Sequence, residues 1–298
     1  MLSLHRVLVV PGRAATERAR LDLVLGLLSL AAAFNAQAGV TRIEHDGTQV
    51  TIEVQGGRPA YQLQFTPALG QPWTNVGVPT TSTQFQVPAP AAQGFFRVLS
   101  DYTALYAVEF EATWSAQTLP LDFPAGLAHF SGLVGAVHDE NVQFWAENAT
   151  ASEGIRRMAE LGSKSTLLAE VAAATPAGAA HFALSGGGIG TSPGRVSLTF
   201  PQPMRRDHPL VTLVSMIAPS PDWFVGVAGL SLLEDGVWLR SKTVTLYGFD
   251  AGTDSGARFT SPDLVTVPRG VIRRFNGYPA EANGVIVPFG TFTFMRLD

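Results

Sequence analysis

The segment between residues 39 and 99 consists of short runs in which apolar and polar residues alternate. Val50, Ile52 and Val54 follow the period of two that places alternate side chains on one face of a strand. The Asp46-Gly47 pair just before them is typical of a hairpin turn. Further runs lie at residues 61–65, 73–76, 85–87 and 95–98. The pattern predicts a small β-sandwich module over residues 39–100.

A longer strand is predicted over residues 105–114, where the main part of the chain begins. Val108 and Phe110 share one face of this strand, and Glu109 and Glu111 share the other. One face is therefore expected in the core and the other in solvent. Later strands are predicted at residues 195–200, 210–217, 224–227, 244–247 and 291–296.

Between residues 150 and 175 the apolar period changes to that of helices. Thr150 and Glu153 have the spacing of a capping box, and Gly162 is expected to separate two helices. The glycine-rich residues 185–194 are expected to form a flexible connection. The whole pattern predicts an all-β fold with one short helical excursion.

The composition is that of a globular protein, with 46% hydrophobic and 15% charged residues among 298. The formal net charge is −4 and the basic residues are scattered, so the basic surface that nucleic-acid binding needs is missing. The chain has no cysteine, which excludes thiolate catalysis, Cys-ligated zinc and disulfides.

Sequence signatures of common enzyme classes are also missing. There is no Gly-x-Ser-x-Gly elbow, Walker motif, dinucleotide fingerprint or His-Glu-x-x-His pair. Four histidines without zinc-site spacing are interpreted as structural or surface residues: His129, His138, His181 and His208. We therefore expect no enzymatic activity.

The first 38 residues have the features of a signal peptide. Arg13, Arg18 and Arg20 precede an apolar run at residues 23–34, and residues 36–38 supply the small-x-small pattern that signal peptidase recognises. This run is shorter than the roughly twenty residues that a membrane span requires. The sequence predicts an exported protein, secreted or at the cell surface, with no stable membrane span after signal removal.

Two acidic turns, each attached to an apolar strand, carry the most specific chemistry. Asp222 precedes the strand at residues 224–227, and Asp250 and Asp254 follow the strand at residues 244–247. If these strands are neighbours, three carboxylates meet at one end of the sandwich, and a hard divalent cation would relieve their repulsion. Alternatively, each acid is a turn-former bonded to nearby backbone N–H groups.

These stretches resemble the spondin domain, the amino-terminal module of F-spondin and mindin. The resemblance rests on residues 106–115, 129–138, 208–226 and 250–256, which match in that order. It implies a C2-like antiparallel β-sandwich with a bound calcium ion and an adhesive role, here in a bacterial-type exported protein. Residues 39–100 look like a fibronectin-type-III-like module in pattern only.

The resemblance implies calcium ligands at Asp222 and Asp250. It also implies a third ligand, a glutamate on the strand before His208, where this chain has no carboxylate at residues 197–200. Thr199 offers only a neutral oxygen there. Because calcium affinity depends on the number of charged ligands, this difference is expected to weaken binding.

Asp254, Glu111 or water is therefore expected to complete the calcium shell. The candidate metal ligands are Asp222, Asp250 and Asp254, and the expected ion is Ca2+.

The sequence thus predicts a signal peptide at 1–38, a small β module at 39–100 and a spondin domain at 101–298. The expected function is a calcium-binding adhesion or interaction module that contacts an extracellular protein or glycan. An alternative is a secreted polysaccharide hydrolase that pairs Glu109 or Glu111 with a loop aspartate, although two acids on one strand face are ordinarily solvated residues. A purely architectural role in an exported protein layer is a further alternative.

Overall fold

The computed structural model describes residues 38–90 and 94–298, together with the backbone of residues 8–10. Apart from residues 8–10 and Ala38, the predicted signal peptide lies outside the described residues. The chain forms two compact units whose boundary lies between Thr103 and Ala104. The predicted domain limits at 39–100 and 101–298 stay predictions. In the described part of the chain, no helix has the length and apolar character needed to cross a membrane.

The first unit consists of short antiparallel strands. They are β1 (Leu8–Val10), β2 (Gly39–His45), β3 (Gln49–Gln55), β4 (Tyr61–Thr66), β5 (Thr74–Thr80), β6 (Gln84–Pro88) and β7 (Gly94–Leu99). One sheet has the order β2-β3-β6 and the other the order β1-β7-β4-β5. Val50 and Ile52 of the first sheet and Leu63 and Phe96 of the second belong to one hydrophobic core. In β3 and β7 every second residue is buried, so the alternation in the sequence marks the buried face of these strands.

The predicted Asp46-Gly47 turn joins β2 to β3. Oδ1 of Asp46 accepts hydrogen bonds from the backbone N–H groups of Gln49 at 2.7 Å and Thr48 at 2.8 Å. These donors lower the pKa of Asp46 to about 2. Gly47 has a φ of 95°, which favours glycine. Local sequence is enough to specify this turn.

The second unit contains two helices and a longer series of strands, beginning within β8 (Thr103–Ala104). The helices are α1 (Glu153–Leu161) and α2 (Ser165–Ala174). The strands before and between the main loops are β9 (Tyr106–Ala112), β10 (His129–Phe130), β11 (Val134–His138), β12 (Ala180–Ser185), β13 (Gly194–Thr199), β14 (Met204–Arg205), β15 (Leu210–Ala218) and β16 (Trp223–Ser231). The remaining strands are β17 (Leu233–Glu234), β18 (Val237–Trp238), β19 (Ser241–Leu246), β20 (Gly248–Asp250), β21 (Arg273–Arg274), β22 (Glu281–Ala282), β23 (Val285–Ile286) and β24 (Gly290–Arg296).

Two antiparallel sheets share the main core of the second unit. The outer sheet has the order β13-β9-β24-β19, and the central sheet has the order β12-β11-β15-β16-β20-β21. Their shared core includes Phe110 of the outer sheet and Leu213 and Val225 of the central sheet. The ring of Phe110 packs edge-on against Phe130 and Phe292, at centroid distances of 4.9 and 5.1 Å. The predicted all-β antiparallel architecture is confirmed.

Strand β15, in the middle of the central sheet, is buried on both faces. Val211 and Leu213 belong to the main core, whereas Val214 and Met216 belong to a second core that also contains Ile155 of α1. The helices therefore cover the side of the central sheet that the outer sheet does not. A nearly continuous apolar run such as residues 210–217 is typical of a strand buried on both sides.

The two predicted helices are confirmed, but the predicted capping box is wrong. The N-cap of α1 is Ser152, whose Oγ accepts a hydrogen bond from the N–H of Ile155 at 3.1 Å. Thr150 therefore does not cap the helix. Glu153 forms an ion pair with Arg156 on the same helix.

The acid that binds the N-terminus of α1 is Glu170 of α2, and not Glu153 as the capping box predicted. Oε1 of Glu170 accepts a hydrogen bond from the N–H of Gly154 at 2.7 Å, and Oε2 accepts one from the hydroxyl of Ser152 at 2.8 Å. Gly162 then ends α1 in the left-handed conformation, with a φ of 63°. The start of α1 thus depends on a contact that spacing within α1 does not reveal.

The connection at residues 185–194 differs from the expected flexible segment. Ile189 and Phe130 exchange two backbone hydrogen bonds of 2.9 and 3.1 Å. The hydroxyl of Ser192 donates to the carbonyl of Trp114 at 2.7 Å. Partners distant in sequence therefore hold this glycine-rich segment in place.

Gly135 in β11 provides a test of how closely the central sheet is packed. A Cβ at this position would lie 1.9 Å from the carbonyl oxygen of Thr212 in β15. We expect Gly135→Ala to lower the free energy of unfolding by about 1–3 kcal/mol, because the neighbouring strand is fixed by cores on both faces. Urea unfolding of the purified chain measures this change.

Gly190→Ala is the matched control, because a Cβ there meets no atom within 4 Å. Equal unfolding midpoints for the two variants would contradict the packing argument.

Candidate metal site

Two acidic turns lie side by side because β16 pairs with β20. Trp223 is opposite Asp250 in this antiparallel pair. In addition, the backbone N–H of Ala251 donates to the carbonyl of Asp222 at 3.1 Å. The strand register therefore brings Asp222 and Asp250 to the same end of the central sheet.

The carboxylate of Asp222 is fully buried and its two oxygens have different surroundings. Oδ2 accepts hydrogen bonds from the N–H of Thr253 at 2.6 Å, from the Thr253 hydroxyl at 3.1 Å and from the N–H of Asp254 at 3.0 Å. Oδ1 has no hydrogen-bond partner among the described residues. Burial and the nearby charge of Asp250 raise the pKa of Asp222 to about 7, although the donors at Oδ2 oppose this shift.

Asp250 is partly buried beside Asp222. Burial raises its pKa and the charge of Asp254 adds to this rise, while the N–H of Gly252 and the indole of Trp223 oppose it. Oδ1 of Asp250 accepts the Gly252 N–H at 2.7 Å. The Trp223 Nε1 stands near this carboxylate but makes no hydrogen bond of normal geometry with any described residue. Two carboxylates whose pKa values are both raised thus share this end of the sheet.

Asp254 also organises its own turn. Its Oδ1 accepts the N–H of Gly256 at 2.7 Å, and its Oδ2 accepts the N–H of Leu264 at 2.7 Å. These bonds are those of a turn-former, which was the alternative interpretation of this acid. Asp254 therefore lies beside the other two acids with both carboxylate oxygens already engaged.

Within residues 38–90 and 94–298, no three His, Cys, Asp or Glu side chains form a group able to hold a metal ion. The structure thus brings Asp222 and Asp250 together, and it places Asp254 next to them without making all three carboxylates converge on one point.

Thr253 is a residue of this site that the sequence reasoning missed. Its hydroxyl and its N–H both bind Oδ2 of Asp222, and its side chain is buried. The only signal in the sequence is its position between two acids in the turn Asp-Ala-Gly-Thr-Asp. A turn motif does not reveal which distant carboxylate its donors bind.

Asp250 and Asp254 both line a cleft with a volume of about 990 Å³. Further polar residues on its walls include Glu147, Asn148, Arg273, Arg274, Asn276 and Tyr278. An ion or a larger ligand in this cleft would therefore meet both acids.

Aromatic contacts show which end of the outer sheet faces the acidic turns. Trp223, next to Asp222, packs against Phe259 at a centroid distance of 5.1 Å. Phe259 in turn packs against Trp114 at 4.8 Å. Trp114 follows the end of β9 at Ala112, so the acidic turns lie at that end of the sandwich.

Thr199 lies at the opposite end, which argues against a third ligand near residues 197–200. In the pairing of β13 with β9, Gly194 is opposite Ala112, whereas Thr199 is opposite Ala107. Five residues separate Gly194 from Thr199, so at roughly 3.3 Å per residue Thr199 lies about 17 Å further along the strand, away from the acidic turns. Thr199 therefore lies away from Asp222 and Asp250, and the predicted ligand set stays a prediction.

Glu109 and Glu111, the acids of the alternative hydrolase, are on the opposite face of β9 from the buried core residues. Glu111 forms an ion pair with Arg195. Neither glutamate lines the cleft that contains Asp250 and Asp254. Glu111 therefore does not complete the site, and no pair of one strand glutamate and one loop aspartate forms around this cleft.

His138 is a buried structural residue, as interpreted from the sequence. Its Nδ1 lies 2.7 Å from the carbonyl oxygen of Asp139, and its Nε2 lies 2.8 Å from the hydroxyl of Thr212. Burial lowers the pKa of His138. Its Nε2 therefore joins β11 to β15, and its Nδ1 is used by the residue that follows it.

The raised pKa of Asp222 predicts an unusual pH dependence in metal-free protein. The ordinary Asp value is 3.8 and the folded value is about 7, so the folded state binds the proton more tightly than the unfolded chain. This group's favourable contribution is present below about pH 4 and is lost as the pH rises toward 7. We expect the free energy of unfolding to fall by roughly 4 kcal/mol over this pH range because of Asp222. Asp222→Asn should abolish this part of the pH dependence, because it removes the carboxyl group.

Urea unfolding in the presence of a chelator at pH 4.5 and pH 7.5 measures this effect as a difference between variants. Asp222→Asn should gain stability relative to the unchanged protein at the higher pH. Asp263→Asn, at an exposed loop position, is the control and should not. Identical pH dependence with and without the Asp222 carboxyl group would disprove the assignment.

Comparison with known proteins places the second unit in a family. Residues 104–285 match the family described as Spondin_N. Spondin-2 of Homo sapiens is 36% identical over 172 residues, which cover 57% of this chain and 51% of that protein. Spondin-2 of Rattus norvegicus is 34% identical over 206 residues, which cover 65% of this chain and 62% of that protein. Spondin-1 of Gallus gallus is 35% identical over 179 residues, which cover 57% of this chain and 22% of that protein.

The matched part of the chain thus spans half to three-fifths of the Spondin-2 relatives and about a fifth of the Spondin-1 relative. The family match covers more than half of the chain and coincides with the unit that carries the acidic turns. The resemblance inferred from the sequence motifs is therefore confirmed, and the chain belongs to the Spondin_N family.

Proposed function

We propose that the second unit is a calcium-binding interaction module that acts outside the cell. The observation that carries this proposal is Oδ1 of Asp222, a buried carboxylate oxygen with no hydrogen-bond donor in the described structure. Burying such an oxygen is unfavourable unless a proton or a cation satisfies it. Calcium is a hard cation that takes oxygen ligands, which suits this carboxylate and its neighbour Asp250.

The surroundings of Asp222 favour metal binding through one oxygen. Three donors from Thr253 and Asp254 hold Oδ2, so Oδ1 is the oxygen left for a cation. Asp250 supplies the second carboxylate. Asp254 lies next to them, and each of its oxygens accepts one N–H bond and retains a further acceptor site. Bound calcium supplies positive charge between the two acidic turns.

The family supports a function outside the cell. The predicted signal peptide at residues 1–38 and the similarity to Spondin-1 and Spondin-2 agree with an exported protein, secreted or held at the cell surface. In this proposal the module contacts an extracellular protein or glycan and acts by binding, not by catalysis. The ion pair between Glu111 and Arg195 gives the alternative hydrolase no support.

Calcium should stabilise the folded protein through Asp222 and Asp250. At a calcium concentration one hundred times the dissociation constant, we expect the free energy of unfolding to rise by about 2.7 kcal/mol. Asp222→Asn and Asp250→Asn should each abolish this rise, because each removes one ligand charge. Thermal melting with added calcium and with chelator measures the effect, and isothermal titration gives the stoichiometry.

Asp263→Asn removes the same charge from an exposed loop position and should retain the full calcium effect. Melting curves that do not change between calcium and chelator would count against the metal site. The same conclusion would follow if all three variants responded to calcium equally.

A further inference from the structure

The cleft beside the acidic turns has a basic wall formed by β21. Arg273 and Arg274 are both exposed and both line this cleft. Neither forms an ion pair with a residue in the described part of the chain, whereas Arg156, Arg195 and Arg269 of the same unit each pair with a carboxylate. The cleft is therefore lined by cationic groups whose hydrogen-bond donors are available for an anionic ligand.

Arg274 is held in a fixed orientation. Its guanidinium lies over the ring of Tyr247 at 3.6 Å from the centroid. This cation–π contact uses the flat face of the guanidinium and leaves the N–H groups at its edge free to donate. A planar guanidinium with free edge donors suits a carboxylate or sulfate, which accepts two parallel hydrogen bonds.

Neutral polar side chains line the same cleft as these arginines. Asn148 and Asn276 have exposed amide side chains, and Tyr278 is 44% exposed. The hydroxyl of Tyr278 donates to Asp122 at 2.5 Å, which fixes the position of the ring. Amides and a fixed amphipathic ring can bind hydroxyl groups and a weakly polar C–H face.

The acids of the cleft help to select the kind of anion. Glu147, Asp250 and Asp254 also line the cleft, and a carboxylate can accept hydrogen bonds from hydroxyl groups. An acidic peptide carries carboxylates and no hydroxyl donors, so it would leave these acids without hydrogen-bond donors. A sugar acid has both kinds of group, because its carboxylate matches the arginines and its hydroxyls match the acids and amides.

The size of the cleft fits a short saccharide. Its volume of about 990 Å³ is at the upper end of the range of about 300–1,000 Å³ for small-ligand sites. We propose that this cleft binds an acidic glycan, with Arg274 and Arg273 binding a uronate carboxylate and Asn148, Asn276 and Tyr278 binding the adjoining sugar. This inference names the ligand of the proposed extracellular module and rests on that function.

Titration of the purified full chain with trigalacturonic acid tests the proposal, with the neutral trisaccharide of galactose as the comparison. We expect the acidic trisaccharide to bind at least tenfold more tightly than the neutral one. Arg274→Gln should weaken binding of the acidic trisaccharide at least tenfold. Arg274→Lys should retain only part of the affinity, because lysine keeps the charge but lacks the planar pair of N–H donors. Raising the sodium chloride concentration should weaken binding, because an ion pair carries it.

Arg195→Gln is the matched control, because it removes the same charge from the outer sheet and should leave trisaccharide binding unchanged. Equal affinity for the acidic and neutral trisaccharides would overturn the proposal. Binding of hexaglutamate as tight as that of trigalacturonic acid would also overturn it and would indicate a site for acidic peptides.

Running each titration with calcium and with chelator separates this proposal from the proposed metal site. A chain that melts at a higher temperature in calcium but binds no trigalacturonic acid would refute the glycan site alone. Arginine-dependent binding without any calcium effect on melting would support the glycan site and refute the metal site. Unchanged melting temperatures for the arginine variants show that lost binding does not come from lost folding.

Discussion

The backbone pairing of β16 with β20 is the contact on which the candidate site depends. It sets Trp223 opposite Asp250, and it places the N–H of Ala251 on the carbonyl of Asp222. Acids almost thirty positions apart in sequence become neighbours for this reason alone. Shifting the pairing by one residue would turn each side chain to the other face of the sheet and separate the carboxylates.

The central sheet fixes that register because it is buried on both faces. Val211 and Leu213 of β15 belong to the core shared with the outer sheet, and Val214 and Met216 belong to the core beneath the helices. A slip by one residue would exchange the side chains that fill the two cores, so neither core would keep its packing. The helical excursion therefore contributes to the site indirectly, because it covers the sheet that aligns the acidic turns.

Much of the fold could be predicted from the sequence, because period and turn chemistry are local. The alternation in residues 105–114 and the apolar run at 210–217 gave strands at the right places. The cap of α1 could not be predicted, because Glu170 from α2 takes the N–H of Gly154. For the same reason the anchoring of residues 185–194 was missed, since its partners lie elsewhere in the chain.

The acids of the candidate site could be named from the sequence, but the groups that hold them in place could not. Turn residues marked Asp222 and Asp250, but only the fold shows that Thr253 and Asp254 hold one oxygen of Asp222 in place. This arrangement has an entropic consequence. A side chain that folding has already immobilised does not lose its rotational freedom again when it captures a ligand, a cost otherwise of about 0.5–1.5 kcal/mol per side chain. In the proposed calcium site, Asp222 would therefore need no further ordering to bind the ion.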